Sequence, residues 1–265
     1  MAGIKIIDLK KSFQVEKKSL PVLTGVNLSL PGQQITVILG RSGCGKTTLL
    51  RLAGGLETPD SGQILYDDTE AADPGHASCG PSRRMAFVFQ EPRLMPWLTV
   101  EGNIGFGLSR KEKKDSREHI RKIILAAGLE GFEKAYPSQL SGGMKQRTAL
   151  ARALAFRPSF IMMDEPFAPL DAFTRQRLQD DILSLWENTG CTILYVTHDL
   201  TEAITLADRV VLMSARPGRV VREYPIDLPR PRRVMDVKFS PRFVELERAI
   251  WQELEAQLPQ EEGRR

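Results

Sequence analysis

The chain has too few cysteines to be held together by them. Cys44, Cys79 and Cys191 lie far apart in 265 residues. Such an odd, sparse set excludes a disulfide framework and fits a reducing compartment. Histidine is as scarce, with three in all. His76 and Cys79 form one H-x-x-C pair with no second pair beside it, so no zinc site is indicated. Long hydrophobic runs are missing too. The longest, "ITVIL" (35–39) and "RVVLM" (209–213), have the length of buried strands and exclude a bilayer-spanning helix. The opening "MAGIKIIDLKKSF" alternates apolar and polar residues and lacks the layout of a signal peptide, so the expected location is the cytoplasm. Charge is nearly balanced, 37 Lys+Arg against 33 Asp+Glu for a net +4. The most basic stretch, "ARPGRVVREYPIDLPRPRR" (215–233), has prolines and no ladder of aromatics for bases to stack on. It reads as a solvated surface, and no nucleic-acid partner is expected.

What is present is an ordinary globular composition, 42% hydrophobic and 26% charged, in a chain longer than most single domains. Strand-length apolar runs recur: "IKIIDL" (4–9), "GVNLSL" (25–30), "QITVILG" (34–40), "QILYD" (63–67), "MAFVFQ" (85–90), "FIMMDE" (160–165), "CTILYVTHD" (191–199) and "RVVLMS" (209–214). Several are continuous rather than alternating, as in strands buried on both faces of a parallel sheet. Helical patterns lie between the later runs. "KTTLLRLAGG" (46–55) ends at glycines, and "FTRQRLQDDILSLWENTG" (173–190) sets Leu178, Ile182, Leu185 and Trp186 on one side. This alternation predicts an α/β fold.

Residues 94–157 differ. Strand runs are few, and "SREHIRKIILAAGL" (116–129) places Ile120, Ile123, Ile124 and Ala127 at helical spacing. A helical subdomain (94–157) is therefore expected within an α/β core (1–93 and 158–230). Residues 67–84 are turn-rich and predict an exposed loop. In the tail (231–265), Ser240 and Pro241 open a helix. Its stripe of Phe243, Leu246, Ile250, Leu254 and Leu258 is expected to dock on the protein's own core.

Two motifs carry chemistry. "GRSGCGKTT" (40–48) fits G-x-x-x-x-G-K-[ST] after a strand and before a helix. By composition alone the pattern arises in about one chain in a hundred of this length. Glycines at 40, 43 and 45 let the backbone wrap and aim N–H groups inward, and the helix start adds its positive end. The candidate nucleotide-binding set is Gly40, Arg41, Ser42, Gly43, Cys44, Gly45, Lys46, Thr47 and Thr48. Lys46 would reach the β- and γ-phosphates, the Thr47 hydroxyl would ligate Mg²⁺, and Cys44 would contribute backbone. The second motif is "FIMMDEP" (160–166), a buried strand with two carboxylates at its end. Asp164 would hold Mg²⁺, directly or through water, and Glu165 would act on the attacking water.

Between them stands "LSGGMKQR" (140–147). Read locally, it is a helix start capped by Ser141. Together with both motifs it resembles the ATP-binding subunit of ABC transporters, over roughly residues 4–230. Other family features follow in order. Gln90 matches the Q-loop glutamine, a catalytic-site residue and Mg²⁺ ligand; Asp171 in "APLD" matches the D-loop; His198 in "VTHD" matches the switch histidine; Phe13 matches the aromatic that stacks on adenine. Met144 departs from the commonest signature, which has glutamine there, and Pro169 stands where a small residue is usual.

The resemblance implies a P-loop NTPase core with a mainly parallel sheet, an antiparallel β subdomain and an inserted helical subdomain. It implies ATP and Mg²⁺ as cofactors and a second copy as partner. Each site would join one copy's P-loop to Ser141, Gly142 and Gly143 of the other. Segments 87–104, 164–179 and 206–220 are similar to the ATPases of nitrate, sulfonate and taurine importers. That similarity implies transmembrane permease subunits, an extracytoplasmic solute-binding protein, and a place on the cytoplasmic face of the inner membrane. Pro96, Trp97 and Leu98 are either a permease contact or an apolar cluster under the helical subdomain. ABC ATPases of lipid transport or export carry the same motifs. Those acting on nucleic acid or ribosomes usually add a coiled coil, zinc insertions or a second ATPase domain, none of which is in this sequence.

Overall fold

A computed structural model describes residues 3–16, 18–66, 85–108 and 117–257. The loop expected over 67–84, with His76 and Cys79, falls outside these residues, as does Leu258. Two sheets organise the chain. Strands β1 (Ile4–Val15), β2 (Lys18–Leu30) and β4 (Ser61–Tyr66) form an antiparallel sheet in the order β2-β1-β4. Strands β3 (Ile35–Leu39), β5 (Met85–Val88), β6 (Phe160–Asp164), β7 (Thr192–Thr197), β8 (Arg209–Met213) and β9 (Val220–Pro225) form the main sheet. Its order is β5-β6-β7-β3-β8-β9, parallel except for β9.

The continuous apolar runs account for the centre of this sheet. Every residue of β3, β6 and β7 is buried. Alternation then divides one strand between two cores: Ile35, Val37 and Leu39 face one side and Ile38 the other. On the Ile38 side, helix α1 (Lys46–Ala53) buries Leu49, Leu50, Leu52 and Ala53 between the two sheets. Helices α5 (Ala172–Thr189), α6 (Leu200–Leu206), α7 (Val234–Lys238) and α8 (Pro241–Ala256) cover the other side. A third core, with Val100, Ile104, Ile120, Ile124 and Leu140, lies among α2 (Val100–Ile104), α3 (Arg117–Ala126) and α4 (Gly142–Ala155). Helix α8 opens as expected, Ser240 Oγ accepting from the Phe243 N–H, and Phe243, Leu246 and Ile250 are buried in the main core.

The basic stretch 215–233 is largely solvated: Arg216, Arg219, Arg222 and Arg233 are exposed, and strand β9 within it is exposed along most of its length. The exception is Arg232, which is only 5% exposed. Arg232 donates to the carbonyls of Thr205, Ala207, Ile226 and Leu228, and burial beside Arg230 pushes its guanidinium down to about 10. Arg230 pairs with Asp208 at 2.8 Å and stacks 4.0 Å over Trp186. The guanidinium fork supplies the donors that the carbonyls before β8 and after β9 need. Arg232→Leu should therefore cost about 3 kcal/mol, because it strands buried carbonyls. A lower denaturation midpoint at unchanged m-value would show it.

Candidate functional site

The site follows from strand register. Leu39 pairs with Thr197, and Asp164 with Val196, so β3, β7 and β6 end in one row. The residues just beyond those ends are Gly40, His198 and Glu165. Ligands of open α/β sheets bind beyond the carboxyl ends of the strands.

The loop from Gly40 turns into α1 through Gly45 at φ +99°, where a Cβ would lie 2.8 Å from Leu23 Cδ2. Only glycine fits that combination of left-handed backbone and close approach. Cys44 points inward with its thiol buried, and burial pushes that thiol up; only its backbone faces the loop. Lys46 is 4% exposed, an unusual burial for an amine. It folds back along the loop, donating to the carbonyls of Gly40 (2.8 Å) and Arg41 (3.1 Å), with Glu165 Oε1 at 3.7 Å.

Thr47 donates from Oγ1 to Asp164 Oδ1 at 2.8 Å. Burial pushes the Asp164 carboxyl up, although Thr47 and the cations Arg51 and Lys46 oppose this. A hydroxyl and a half-desolvated carboxylate in contact form a hard-oxygen pair, which suits a magnesium ion that completes its shell with phosphate and water. Glu165 takes the left-handed conformation, φ +44°, a strained backbone for a non-glycine residue. Its N–H donates to Val196 O, and its Oε2 lies 2.8 Å from His198 Nδ1. A cavity of about 760 Å³ opens over the loop, lined by Gly40, Arg41, Ser42, Gly43 and His198.

Lys46, Thr47, Asp164 and Glu165 are joined to the loop by the contacts above rather than as cavity lining, and no such contact joins Ser141, Gly142, Gly143, Asp171, Gln90 or Phe13 to them among the described residues. Phe13 is 39% exposed on β1, with Lys11 Nζ 5.3 Å over its ring. Ser141 caps α4, its Oγ accepting from the Met144 N–H, and Asp171 caps α5 through the Thr174 N–H. That N–H also holds the Asp171 carboxyl below its ordinary value. The two signature glycines differ. A Cβ on Gly142 would meet nothing within 4 Å, whereas one on Gly143 would lie 2.7 Å from Thr174 Cγ2. Gly143 is thus small because α5 crosses there, and only Gly142 leaves a bare face. Met144 turns away from that face and packs against the helical core.

Gln90 is exposed at the bend after β5. Its segment is fastened to α4: Gln146 donates to Phe89 O at 3.2 Å, and Arg152 donates to Pro92 O and Arg93 O. Sequence reasoning missed Arg216, which lines the cavity and donates to Gly43 O at 3.3 Å, and also Trp251, Leu254 and Glu255 of α8. Arg216 was findable. It follows β8, the strand beside β3, so it had to emerge next to the loop. The tail's approach carries no local signal.

The family model described as ABC transporter matches residues 23–168. The chain belongs to the ABC transporter family. It is 40% identical over 252 residues to the aliphatic sulfonates import ATP-binding protein SsuB of Bacillus cereus, spanning 95% of this chain and 96% of the relative. It is 44% identical over 238 residues to an uncharacterized ABC transporter ATP-binding protein of Methanocaldococcus jannaschii, spanning 89% and 86%. Among solved structures, a dimeric ATP-binding cassette in a post-hydrolysis state with ADP and Pi superposes with TM-score 0.70 at 30% identity, covering 85% of this chain and all of that one. This chain is an ABC-type ATPase with the family's fold. Among the described residues no helix is long and apolar enough to cross a membrane.

Proposed function

We propose that this ABC ATPase powers import of a small anionic solute through a separate permease, as a head-to-tail homodimer at the cytoplasmic face of the membrane. An aliphatic sulfonate is the first candidate, with taurine and nitrate beside it. The observation that carries the catalytic part is the row of strand ends that brings Lys46, Thr47, Asp164, Glu165 and His198 together. The sulfonate reading is supported by 40% identity to the Bacillus cereus importer subunit along nearly the whole chain. Trp97 is 67% exposed, with Pro96 exposed beside it, which favours a permease contact over a packed cluster.

In this reading the loop N–H groups and the α1 terminus receive the phosphates, and Lys46 swings from its carbonyls to them. Thr47 and Asp164, with Gln90 approaching from β5, would hold Mg²⁺. The ion supplies charge neutralisation on the β- and γ-oxygens when bound. Glu165 orients the attacking water and accepts its proton, while His198 holds Glu165 and faces the γ-phosphate. Water's oxygen bonds to the γ-phosphorus, the bond to the β-phosphate oxygen breaks, and ADP and phosphate leave. Ser141 and Gly142 present a capped helix start with nothing over Gly142. That surface suits the γ-phosphate held by the second copy.

Ser141→Arg should block hydrolysis while an isolated protomer still binds ATP unchanged. Turnover and equilibrium binding, measured side by side, check this. Loss of binding in the protomer would place Ser141 in its own site and overturn the shared geometry. Affinity purification from membranes should recover a hydrophobic multispanning subunit, and sulfonate with its binding protein should stimulate the ATPase of that complex. Recovery of ribosomes or nucleic acid in its place would overturn the importer reading.

A further inference from the structure

Away from the phosphate site, a groove runs between α3, α4 and α5. It has two lobes of about 300 Å³ and 430 Å³ that share His119, Ile123 and Leu154. Each lobe lies in the size range of small-molecule sites. The walls are aliphatic, with Ile123, Leu150, Leu154 and Leu178. The charged rims are mainly cationic. Asp181 and Arg147 face each other in the first lobe, with Arg177 near, so that end is internally balanced. The other end is not. His119 and Arg157 line the second lobe, and Lys122 stands above His119. Glu118 pairs with Lys122 at 2.9 Å, but both are almost fully solvated, and such a pair cancels little of the field inside.

His119 sits between the lobes. Its Nε2 is buried with no hydrogen-bond partner among the described residues. Burial, then the Arg157 charge, and Lys122 as well, hold its imidazole below its ordinary value despite the Leu154 carbonyl. An unpartnered buried nitrogen where the two lobes meet, beside the cations Lys122 and Arg157, offers an N–H donor to an anion's oxygen in the Nε2–H tautomer.

We propose that this groove binds an aliphatic anion. An unbranched hydrocarbon chain would lie along Ile123, Leu150 and Leu154, with its sulfonate or carboxylate head among His119, Lys122 and Arg157. The occupant ties α3 and α4 to α5. Affinity should rise about fourfold for each added methylene that the walls cover. The inference does not depend on which solute is transported, because the groove shares no residue with the phosphate cavity.

The test uses the full chain without nucleotide and four probes: octane-1-sulfonate, octanoate, octylammonium and inorganic sulfate. Calorimetry measures binding, and imidazole ¹⁵N resonances report on His119, one of only three histidines. Either organic anion should saturate and shift His119 while leaving His198 in place; octylammonium should not bind, and sulfate, whose binding belongs to the phosphate loop, should leave His119 unshifted. Tighter sulfonate would identify sulfonates as the natural class and tighter octanoate would identify carboxylates; both outcomes uphold the site. Ala126→Trp, at an exposed position that lines the groove, should abolish binding by filling it. Lys122→Gln with Arg157→Gln should weaken it about tenfold. The proposal is overturned if neither anion saturates, if octylammonium binds equally well, or if both variants bind like the wild type.

Discussion

Lys46→Ala abolishes ATP hydrolysis, with turnover falling by at least roughly 10²-fold. The reason lies in what surrounds the amine. It is nearly fully buried, held between two loop carbonyls, and stands 3.7 Å from Glu165. A cation kept there is charge set in place before the phosphates arrive. The carbonyls are neutral, so it can exchange them for phosphate oxygens with little rearrangement. Alanine removes that charge and leaves Glu165 without a cationic neighbour in the loop. Arginine should not rescue, because the planar fork is too large for a cradle shaped around a single ammonium. Steady-state phosphate release measures the effect, and an unchanged melting temperature separates it from misfolding. Near-wild-type turnover would remove Lys46 from the site.

Glu165→Gln should give the second large effect: hydrolysis down by roughly 10²- to 10⁴-fold and an ATP-bound dimer that persists. Glutamine keeps the volume and can keep a contact with His198 Nδ1, but it cannot take a proton from water. Binding is then uncoupled from release, so the closed state accumulates. Size-exclusion chromatography in ATP should show a dimer for the variant and protomers for the wild type after turnover. The strained backbone at φ +44° makes the substitution informative. A carboxylate needed only for folding would not justify that cost at a strand end, and its loss would show as instability rather than as a trapped dimer. Unchanged turnover would assign the proton transfer to another group.

The parts of this architecture readable from sequence were those in which one local rule acts alone. Both-face burial makes continuous apolar runs, so β3, β6 and β7 stood out. Glycine spacing between a strand and a helix reveals a phosphate loop because few other needs require it. What stayed hidden depended on two distant segments meeting. Nothing in "LSGGMKQR" says that Thr174 passes over Gly143, so both glycines looked like one device when only Gly142 is bare. Met144, odd beside the family's usual glutamine, turned out to be half-buried against the helical core. Arg232 looked like one more solvated cation, and only the meeting of the chain before β8 with the chain after β9 gives it carbonyls to bind. The tail's stripe correctly foretold docking, but not that Trp251 and Glu255 would border the loop cavity.

The fastening of residues 89–93 to α4 has a mechanical consequence. Gln146 and Arg152 clamp that segment at Phe89, Pro92 and Arg93, whereas Gln90 itself stays unclamped between the pins. On the proposed function, the glutamine that would serve one copy's metal and the serine that would meet the other copy's phosphate are therefore tied to one helix. Three hydrogen bonds of 2.8 to 3.2 Å join the two ends. In the proposed dimer, each half would in this way couple its own nucleotide to what it presents to its neighbour, as the two ends of a rocker move together about one pivot.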